Sequence, residues 1–299
     1  MEDILNYIKQ FGEVKENISF KAITTYKIGG IARAIVYPKD IDSLIRTLKY
    51  LKRNKVNYKI WGRGSNIIPS DKDYNGIIVK LDRLNKIDIH QRYVIAGAGV
   101  NLMALANQLC NLGYTGFEFA TGIPGSVGGS IYMNAGAYNC AIGDIVSSIK
   151  VLDKDFDIVE LDRKELNFSY RHSLLQECKY YICVEAKFRI LKSNPDNIKK
   201  LVEERKKRRE ETQPLQFPSA GSVFRNPEGM YAGKLIEDVN LKGKTLGGAM
   251  ISDKHANFIV NSNNAKASDV KELIDMAKEE VKKEFNVDLK VEQEFFNWE

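Results

Sequence analysis

The sequence predicts a mixed fold of helices and strands, α+β with α/β character, and three observations support this prediction. The 299 residues are 43% hydrophobic and 28% charged, a composition typical of a folded globular protein with two or three domains. Short runs of β-branched and aromatic residues alternate with longer segments whose apolar residues recur at helical spacing. No internal repeat is visible. Together these patterns favour one mixed helix-and-strand protein.

The first half of the chain begins with a strand–helix–strand unit. Residues 40–54 (DIDSLIRTLKYLKRN) carry an apolar stripe at helical spacing behind an acidic N-cap. The extended runs ARAIVYP and NYKIW flank this helix, so a right-handed crossover is expected. Two further strands, GIIVKL and YVIAGAG, come next. They precede a helix over residues 101–113, which we expect to end at Gly113.

The second half begins with three strands, IVSSIKVLD, DIVEL and YYICVEAKFRIL, and continues with the charged helix NIKKLVEERKKRREET. Beyond Pro214, loop-and-strand segments (SAGSVFRNP and LKGKTLGGAMISDKHANFIVN) lead to a helix over residues 266–285. DLKVEQEFF is the last predicted strand. The proline-flanked TQPLQFPSAG is the best candidate for a domain boundary.

Composition excludes some classes of protein and leaves others open. No run approaches the eighteen apolar residues of a membrane span, and the N-terminus lacks the basic and apolar regions of a secretion signal, so a cytoplasmic protein is expected. The four cysteines form no CxxC pair and lie far from the three histidines, which predicts buried free thiols and no metal site. The net charge of +6 suits anionic small molecules and nucleic acid alike.

The run RKKRR in the charged helix has two interpretations. It could form a patch that binds nucleic acid or a membrane, or it could belong to a solvated helix face. Four glutamates interleave with the basic residues, namely Glu203, Glu204, Glu210 and Glu211. Because such mixed charge is typical of an exposed helix, we favour the solvated face.

Three glycine-rich turns follow or flank strands: WGRGSN, AGAGVNL and GIPGSVGG. Glycine lets the backbone approach a pyrophosphate and direct its N–H groups at the anion, although glycine turns are also common in purely structural roles. GIPGSVGGS lacks the lysine of a P-loop, and GAGVNL lacks the third glycine of a dinucleotide-binding Rossmann motif. The turns therefore suggest either a nucleotide diphosphate bound in another fold or tight turns with small residues packed behind them.

Read in order, the segments resemble the UDP-N-acetylenolpyruvoylglucosamine reductases, flavoproteins of bacterial cell-wall synthesis. The matching stretches are TTYKIGG, WGRGSNIIPSD, AGAGVNL, GFEFATGIPGSVGGSIYMNAGAY, SYRHS, PSAGSVFRNP, AGKLIEDVNLKG, GGAMISDKHANFIVN and VKKEFNVDLKVE. They run from Thr24 to Glu292, nearly the whole chain. The segment between SYRHS and TQP has no room for the tyrosine-bearing insertion of one family type, so the chain resembles the shorter type.

The resemblance implies a fold and a cofactor. The expected fold is a vanillyl-alcohol-oxidase type of FAD-binding half followed by an α+β substrate domain. The expected domains are residues 1–81 and 82–212 for the flavin and 213–299 for the substrate, with the C-terminal strand returning to the active site. FAD is expected to bind noncovalently, because no histidine stands in the first glycine loop to tether it. The residues expected at FAD are Gly62, Arg63, Gly64, Ser65, Asn66, Thr121, Gly122, Pro124, Gly125, Ser126, Gly128, Gly129 and Ala135.

The implied reaction uses NADPH as hydride donor and an enolpyruvyl ether on UDP-N-acetylglucosamine as acceptor. Three positions match the catalytic residues of the family: Ser222 as proton donor, Arg171 as the holder of the substrate carboxylate, and Glu292. The chain departs from the family pattern after Glu292, where Gln293-Glu294 stands in place of Val-Arg. Since alternate residues of a strand share a face, Glu294 is the fallback for Glu292.

The remaining expectations concern ligands and partners. Tyr170 and Asn226 are expected near the substrate with Arg171. His255 has two open interpretations, a ligand contact and a structural hydrogen-bonding residue, and is left out of the catalytic set. NADPH and the sugar nucleotide are expected to take turns in one cleft of a monomer that binds neither nucleic acid nor membrane. The alternatives are a sugar or alcohol oxidase of the same flavin fold and a non-catalytic polyanion-binding protein.

Overall fold

The computed structural model describes all 299 residues, from Met1 to Glu299. The chain forms two compact units, each assembled from three separate segments. Unit 1 comprises Met1–Glu16, Ala34–Arg63 and Gly76–Lys207, and unit 2 comprises Asn17–Arg33, Gly64–Asn75 and Arg208–Glu299. The division into three consecutive domains that the sequence suggests stays a prediction.

Nine α-helices and two short 3₁₀ turns run through the chain. The helices are α1 Glu2–Ile8, α2 Ile41–Arg53, α3 Leu102–Asn111, α4 Val127–Tyr132, α5 Ile142–Ile145, α6 Leu174–Glu177, α7 Pro195–Thr212, α8 Ala232–Asp238 and α9 Ala267–Phe285, and the 3₁₀ turns are Phe20–Ala22 and Glu118–Ala120. Every helix is too short or too polar to span a membrane.

Eighteen strands pair into several small sheets. The strands are β1 Gly12–Ser19, β2 Ile31–Pro38, β3 Tyr58–Trp61, β4 Ile67–Pro69, β5 Tyr74–Lys80, β6 Ile87–Ile89, β7 Tyr93–Gly97, β8 Tyr114–Thr115, β9 Gly136–Ala137, β10 Cys140–Ala141, β11 Val146–Leu152, β12 Ile158–Asp162, β13 Ile182–Arg189, β14 Leu191–Lys192, β15 Thr245–Leu246, β16 Ala249–Ile251, β17 Ile259–Asn261 and β18 Glu294–Phe296. The strand orders of the larger sheets are β1-β2-β5-β3, β12-β11-β13-β7-β6 and β15-β16-β17. Three two-stranded pairs join β9 to β10, β8 to β14 and β4 to β18.

Strands β2 and β3, on either side of helix α2 in the sequence, confirm the predicted strand–helix–strand unit, and β5 lies between them in the sheet. The Asp40 carboxylate caps α2 by accepting a 2.7 Å hydrogen bond from the Ser43 amide, and the apolar stripe is buried at Leu44, Leu48 and Leu51. Strand β3 pairs in parallel with β5. Five residues of β5 are buried in succession, as expected of a central strand. The carboxyl ends of β3 and β5 thus lie side by side, at Trp61 and Lys80.

The five-stranded sheet of unit 1 is antiparallel and supports the AGAGVNL turn at the end of β7. Glycines 97 and 99 in this turn lie against backbone: a Cβ at Gly99 would stand 1.9 Å from the Leu81 carbonyl oxygen, and one at Gly97 would stand 2.2 Å from that of Leu84. These two glycines therefore permit close backbone packing, one of the two roles that the sequence left open for glycine turns.

Unit 2 has its own core beneath the three-stranded sheet. Helix α9 buries one apolar face against this sheet, through residues that include Val270, Leu273 and Ile274. The Tyr26 side chain is fully buried in the same core and donates a 2.7 Å hydrogen bond to the Ile259 carbonyl. Paired in this way, the one polar atom of a large buried side chain is satisfied.

Two segments differ from the predicted pattern, and the charged helix agrees with it. The C-terminal run DLKVEQEFF is not one strand, because Val291 bridges Phe224 in antiparallel fashion whereas Glu294–Phe296 pair in parallel with β4. Helix α4 was missed, since Gly128 and Gly129 are poor helix formers. Helix α7 buries Ile198 alone, in agreement with the predicted solvated face.

All four cysteines are free thiols, as predicted. Cys110 and Cys183 are buried, which raises the pKa of each thiol to about 12. Cys140 is exposed and Cys178 is half-buried, so the expectation of burial holds for two of the four positions.

Candidate active site

The first glycine loop begins where β3 ends, at Gly62. A Cβ at Gly62 would stand 2.3 Å from the Ser126 hydroxyl oxygen, so any side chain at this position would have to displace that hydroxyl. The loop WGRGSN and the loop GIPGSVGG therefore meet at Gly62 and Ser126. Two glycine-rich turns brought together in this way form a surface that backbone N–H groups can line.

Lys80, at the end of β5, supports the first loop from inside the protein. Its side chain is buried, with 5% of the residue exposed, and donates a 2.7 Å hydrogen bond to the Gly62 carbonyl oxygen. The Asp82 carboxylate lies 3.6 Å from the lysine nitrogen. Burial lowers the pKa of Lys80, the Asp82 charge opposes that shift, and the positive charge of Arg63 adds to it. Lys80 brings a cation to the back of a loop expected to face an anion.

The second half of the GIPGSVGG loop is already bonded within the protein. Val127 and Gly128 donate their amides to the Val100 and Ala98 carbonyls, both at 2.9 Å. The Gly129 amide donates to the Ser126 hydroxyl, which caps helix α4, at 3.3 Å. The amides at the start of α4 are therefore occupied.

The first half of the same loop offers N–H groups to a ligand. The amides of Gly122, Gly125 and Ser126 donate to no acceptor in the protein, and Pro124 between them has no N–H. Orphaned N–H groups beside a close glycine approach fit the pyrophosphate of a dinucleotide cofactor. The residues present thus fit FAD, with the donors concentrated at residues 122–126.

The remaining predicted cofactor residues have varied surroundings. Thr121 donates its hydroxyl to the Glu118 carbonyl at 2.9 Å. The Ala135 amide donates to the Ser130 carbonyl at 2.9 Å, so Ala135 helps to close the turn after α4. Arg63 is exposed and Ser65 half-buried.

Gly64 and Asn66 belong to unit 2 and are firmly held there. Gly64 has a φ of +66°, and a Cβ at that position would stand 2.5 Å from the Ile23 carbonyl oxygen. The Asn66 side-chain Nδ2 donates to the backbone carbonyl of Glu292 at 3.2 Å, and the backbone carbonyl of Asn66 accepts from the backbone amide of Glu294 at 2.8 Å. The end of the first loop is thus bonded directly to the C-terminal segment.

Arg171 lies in a strained turn of unit 1. Ser169 and His172 exchange two backbone hydrogen bonds across the turn, and Arg171 has a φ of +57°. Such a left-handed conformation is uncommon for a residue with a long side chain, and it persists only when neighbours hold it. The guanidinium donates to the Gly136 carbonyl at 3.0 Å and stacks on the exposed Tyr170 ring, 5.1 Å from its centroid.

Gln176 and Asn134 hold this turn in place. Gln176 donates its side-chain amide to the Arg171 carbonyl at 3.0 Å and to the Tyr132 carbonyl at 2.8 Å. Asn134 donates to the Ser169 carbonyl at 2.7 Å and accepts from the Gly143 amide at 2.9 Å. Arg171 is therefore anchored to the segment that follows helix α4.

Ser222 and Glu292 lie on two strand-like segments of unit 2 that run side by side. The Glu292 amide donates to the Val223 carbonyl at 2.8 Å, next to Ser222, and the Val291–Phe224 bridge continues the pairing. Both Ser222 and Glu292 are half-buried, whereas Glu294 is exposed and its amide bonds to Asn66 instead. The backbone thus brings Glu292, rather than Glu294, beside the serine segment.

The polar residues near this pair are mostly structural. The Asn226 side-chain Oδ1 accepts from the backbone amide of Ala232 at 3.1 Å, at the start of α8. Asn257 is buried and clamps Phe224 by accepting from its amide and donating to its carbonyl, at 2.9 and 2.8 Å. The His255 Nδ1 accepts from the backbone amide of Asn257 at 3.2 Å.

The roles of Lys80, Gln176 and Gln293 are seen only in the structure, whereas Asn257 lies in a segment that the sequence already links to ligand contacts. Lys80 carried the clearest signal, because it ends a run of apolar residues on a strand and therefore had to be buried or paired. For the two glutamines no local signal exists, since their partners are distant in the sequence or depend on irregular backbone.

Two sequence-family models match two different regions of the chain. A sequence model described as "UDP-N-acetylenolpyruvoylglucosamine reductase, C-terminal domain" matches residues 213–296, and one described as "FAD binding domain" matches residues 32–162. The chain is 44% identical over 287 residues to the UDP-N-acetylenolpyruvoylglucosamine reductase of Caldanaerobacter subterraneus subsp. tengcongensis, covering 96% of this chain and 95% of that protein. It is 41% identical to the protein of that name from Bacillus pumilus, covering 100% of both.

A solved structure agrees with these matches. The chain resembles the crystal structure of UDP-N-acetylenolpyruvylglucosamine reductase from Thermus caldophilus, with a TM-score of 0.83 and 30% sequence identity. The match covers 96% of this chain and 100% of that one. The predicted fold class, with an FAD-binding part and an α+β part, is confirmed by these similarities.

Proposed function

The chain belongs to the UDP-N-acetylenolpyruvoylglucosamine reductase family, and from this membership we propose how its own residues carry out the reaction. It is an FAD-dependent oxidoreductase that uses NADPH to reduce the enolpyruvyl group of UDP-N-acetylglucosamine enolpyruvate, giving UDP-N-acetylmuramate for peptidoglycan synthesis. The observation that carries this function is the 41% identity to a reductase of this name over the full length of both chains.

FAD, when bound, supplies the hydride chemistry, since it accepts hydride from NADPH and returns it to the terminal enol carbon of the substrate. The orphaned amides of Gly122, Gly125 and Ser126 and the close approach at Gly62 support binding of its pyrophosphate. The predicted contacts from Gly64, Ser65, Asn66 and Thr121 are part of the same proposal. Pro124 stiffens the loop because its ring restricts φ.

Arg171 holds the carboxylate of the enolpyruvyl group. A planar guanidinium binds a carboxylate through two parallel N–H donors, and its charge stabilises the negative charge that develops when hydride arrives. The turn that carries Arg171 is supported at both peptide ends by Gln176 and Asn134, which favours a fixed orientation of the side chain. Tyr170 packs against the guanidinium and adds to this support.

Ser222 delivers a proton from its hydroxyl to the carbon next to the carboxylate. An isolated serine is a weak acid, so it requires a charged or relayed neighbour to act at neutral pH. The backbone pairing of Glu292 next to Val223 supports Glu292 in that neighbouring role. Asn226 is proposed to contact the substrate as well as to cap α8.

The proposal also covers how the two substrates share the site, the oligomeric state and the location of the enzyme. NADPH and the sugar nucleotide, both anionic, are proposed to take turns in one cleft, in a monomeric cytoplasmic enzyme. The net charge of +6 favours such anions.

An anaerobic flavin titration tests the function. The purified protein should be yellow, NADPH should bleach it, and the enolpyruvyl substrate should restore the colour without oxygen. If oxygen restores the colour and the enolpyruvyl substrate does not, the protein is an oxidase. A colourless protein that binds nucleic acid in a salt-sensitive manner would indicate a polyanion-binding protein. Either result would contradict the proposal.

Ser222→Ala tests the assignment of the proton donor. The variant should keep flavin reduction by NADPH within about twofold and slow reoxidation by the substrate by about 100-fold or more, as expected for loss of a general acid. If substrate reoxidises the variant flavin at the normal rate, another group donates the proton.

A further inference from the structure

Gln293 occupies the point where the C-terminal segment changes its pairing partner. Before it, Val291 and Glu292 pair with the segment that contains Phe224 and Val223. After it, Glu294 bonds to Asn66. Gln293 itself is 4% exposed, so an amide side chain is buried between two pairings.

The Gln293 amide nitrogen donates a 3.1 Å hydrogen bond to the Gly221 carbonyl oxygen, 72 residues away in the sequence. Because a carbonyl can only accept, this bond also settles which end of the glutamine amide faces Gly221. The bond from Gln293 to Gly221 is the only hydrogen bond that residues 219–222 make. The nearest bonds on either side are those of the Pro218 carbonyl with the Asn261 amide and of the Val223 amide with the Asn257 carbonyl, at 2.9 and 2.8 Å.

Gly221 has little else to hold its conformation. Its φ is +77°, and no heavy atom lies within 4 Å of the position that a Cβ would occupy. The bond from Gln293 is also the only hydrogen bond made by the peptide between Gly221 and Ser222. Since the Gly221 carbonyl belongs to that peptide, the bond from Gln293 controls the direction in which the Ser222 side chain leaves the backbone.

The side-chain oxygen of Gln293 argues against a role for this residue in stability alone. The Gln293 carbonyl oxygen is buried and has no hydrogen-bond partner in the protein. A buried unpaired oxygen is destabilising, so an apolar side chain of similar volume should fold at least as well.

We propose that Gln293 is a positioning residue, whose amide holds the Gly221 carbonyl and thereby aims the Ser222 hydroxyl at the substrate carbon. The inference rests on the proposed role of Ser222 as proton donor. Ser222 donates its proton only in the half-reaction that consumes the sugar nucleotide. Gln293 should therefore affect the rate of that half-reaction and leave the rate of flavin reduction by NADPH unchanged.

The test is Gln293→Met in the FAD-loaded protein, followed by stopped-flow measurement of both half-reactions. Reduction by NADPH should stay within about twofold, and reoxidation by the enolpyruvyl substrate should slow by about 10- to 100-fold, the effect of a misplaced catalytic group. The melting temperature should be unchanged or higher. Gln216→Met, at an exposed glutamine of the same unit, is the matched control and should change neither rate. If the methionine variant does not fold, Gln293→Val serves in its place.

A double-mutant cycle with Ser222→Ala separates positioning from general structural damage. If Gln293 acts through Ser222, then Gln293→Met should slow reoxidation by less than about twofold in the Ser222→Ala background. Full additivity, equal slowing of both half-reactions, or normal reoxidation in Gln293→Met would each overturn the inference. Failure of the substrate to reoxidise the wild-type flavin would overturn the proposed function itself.

Discussion

The buried Lys80 side chain donates a 2.7 Å hydrogen bond to the carbonyl oxygen of Gly62, the residue at which the two glycine-rich loops meet. This contact couples the carboxyl ends of two parallel strands to the loop expected to face the FAD pyrophosphate. It also places a positive group behind that loop. Because the lysine is buried away from water, its charge interacts more strongly with an anion at short distance.

Lys80→Met should weaken FAD binding by about tenfold or more, because a hydrogen bond from a charged group contributes about 1.5–3 kcal/mol. The change leaves the Gly62 carbonyl and the Asp82 carboxylate without their shared cation. Titration of apoprotein with FAD, followed by quenching of flavin fluorescence, gives the dissociation constant. Lys86→Met, at an exposed lysine, should leave FAD affinity unchanged. Equal affinities in wild type and Lys80→Met would show that the loop holds its shape without this lysine.

Gly62→Ala should also weaken FAD binding by about tenfold, since the new methyl group must displace the Ser126 hydroxyl and with it a helix cap of about 1 kcal/mol. The clash is specific, because Ser126 supplies the only heavy atoms within 4 Å of the added carbon. Removing that hydroxyl should relieve part of the clash. FAD affinity in Gly62→Ala/Ser126→Ala should therefore exceed the value calculated by adding the two single effects. Simple additivity would mean that the loops do not interact at this point.

Gln176→Leu should raise the KM for the sugar nucleotide by about tenfold while flavin reduction by NADPH stays within about twofold, because the Arg171 turn loses a bond worth about 1 kcal/mol and its strained φ is no longer enforced. Steady-state kinetics with varied sugar nucleotide measures the first quantity and stopped-flow absorbance the second. Gln108→Leu, at an exposed position of α3, is the control. An unchanged KM would contradict the role assigned to the turn.

His255→Gln should make stability less dependent on pH in the acidic range. Burial lowers the pKa of His255, and its Nδ1 accepts the Asn257 amide, so the folded state favours the neutral ring. Its contribution is complete above the ordinary histidine pKa of about 6.5 and is lost as the pH falls below that value, where the unfolded chain binds the proton more readily. Melting temperatures from about pH 7.5 to 5.5 should fall less steeply in the variant. His90→Gln, at an exposed histidine, should retain the wild-type slope.

Local patterns in the sequence predicted the four longest helices, α2, α3, α7 and α9, as the caps of α2 and α3 show. Each begins directly after its capping residue, Asp40 or Asn101, whose side chain accepts a backbone N–H of the first turn. Such caps and apolar stripes are encoded within a few consecutive residues, so the sequence alone locates them. Gly113, with a φ of +75°, closes α3 as expected.

The pairing of the C-terminal segment could not be predicted from local patterns. An alternating pattern predicted one strand over DLKVEQEFF with Glu292 and Glu294 on one face, yet the segment changes partners at Gln293. The two partners, Phe224 and β4, lie far away in the sequence, and no local pattern records them. The same limit applies to Lys80 and Gly62, because the hydrogen bond between them depends on the pairing of β3 with β5.

The interleaving of the two units has a consequence for synthesis on the ribosome. Unit 2 takes its early segments from Asn17–Arg33 and Gly64–Asn75, but the rest of it is not translated until Arg208–Glu299 emerges. Tyr26 must therefore wait for Ile259, 233 residues later, before its buried hydroxyl finds an acceptor. Contacts this distant in sequence form slowly, so we expect the nascent chain to complete unit 2 only once Arg208–Glu299 has emerged, with the apolar side chains of its early segments exposed until then.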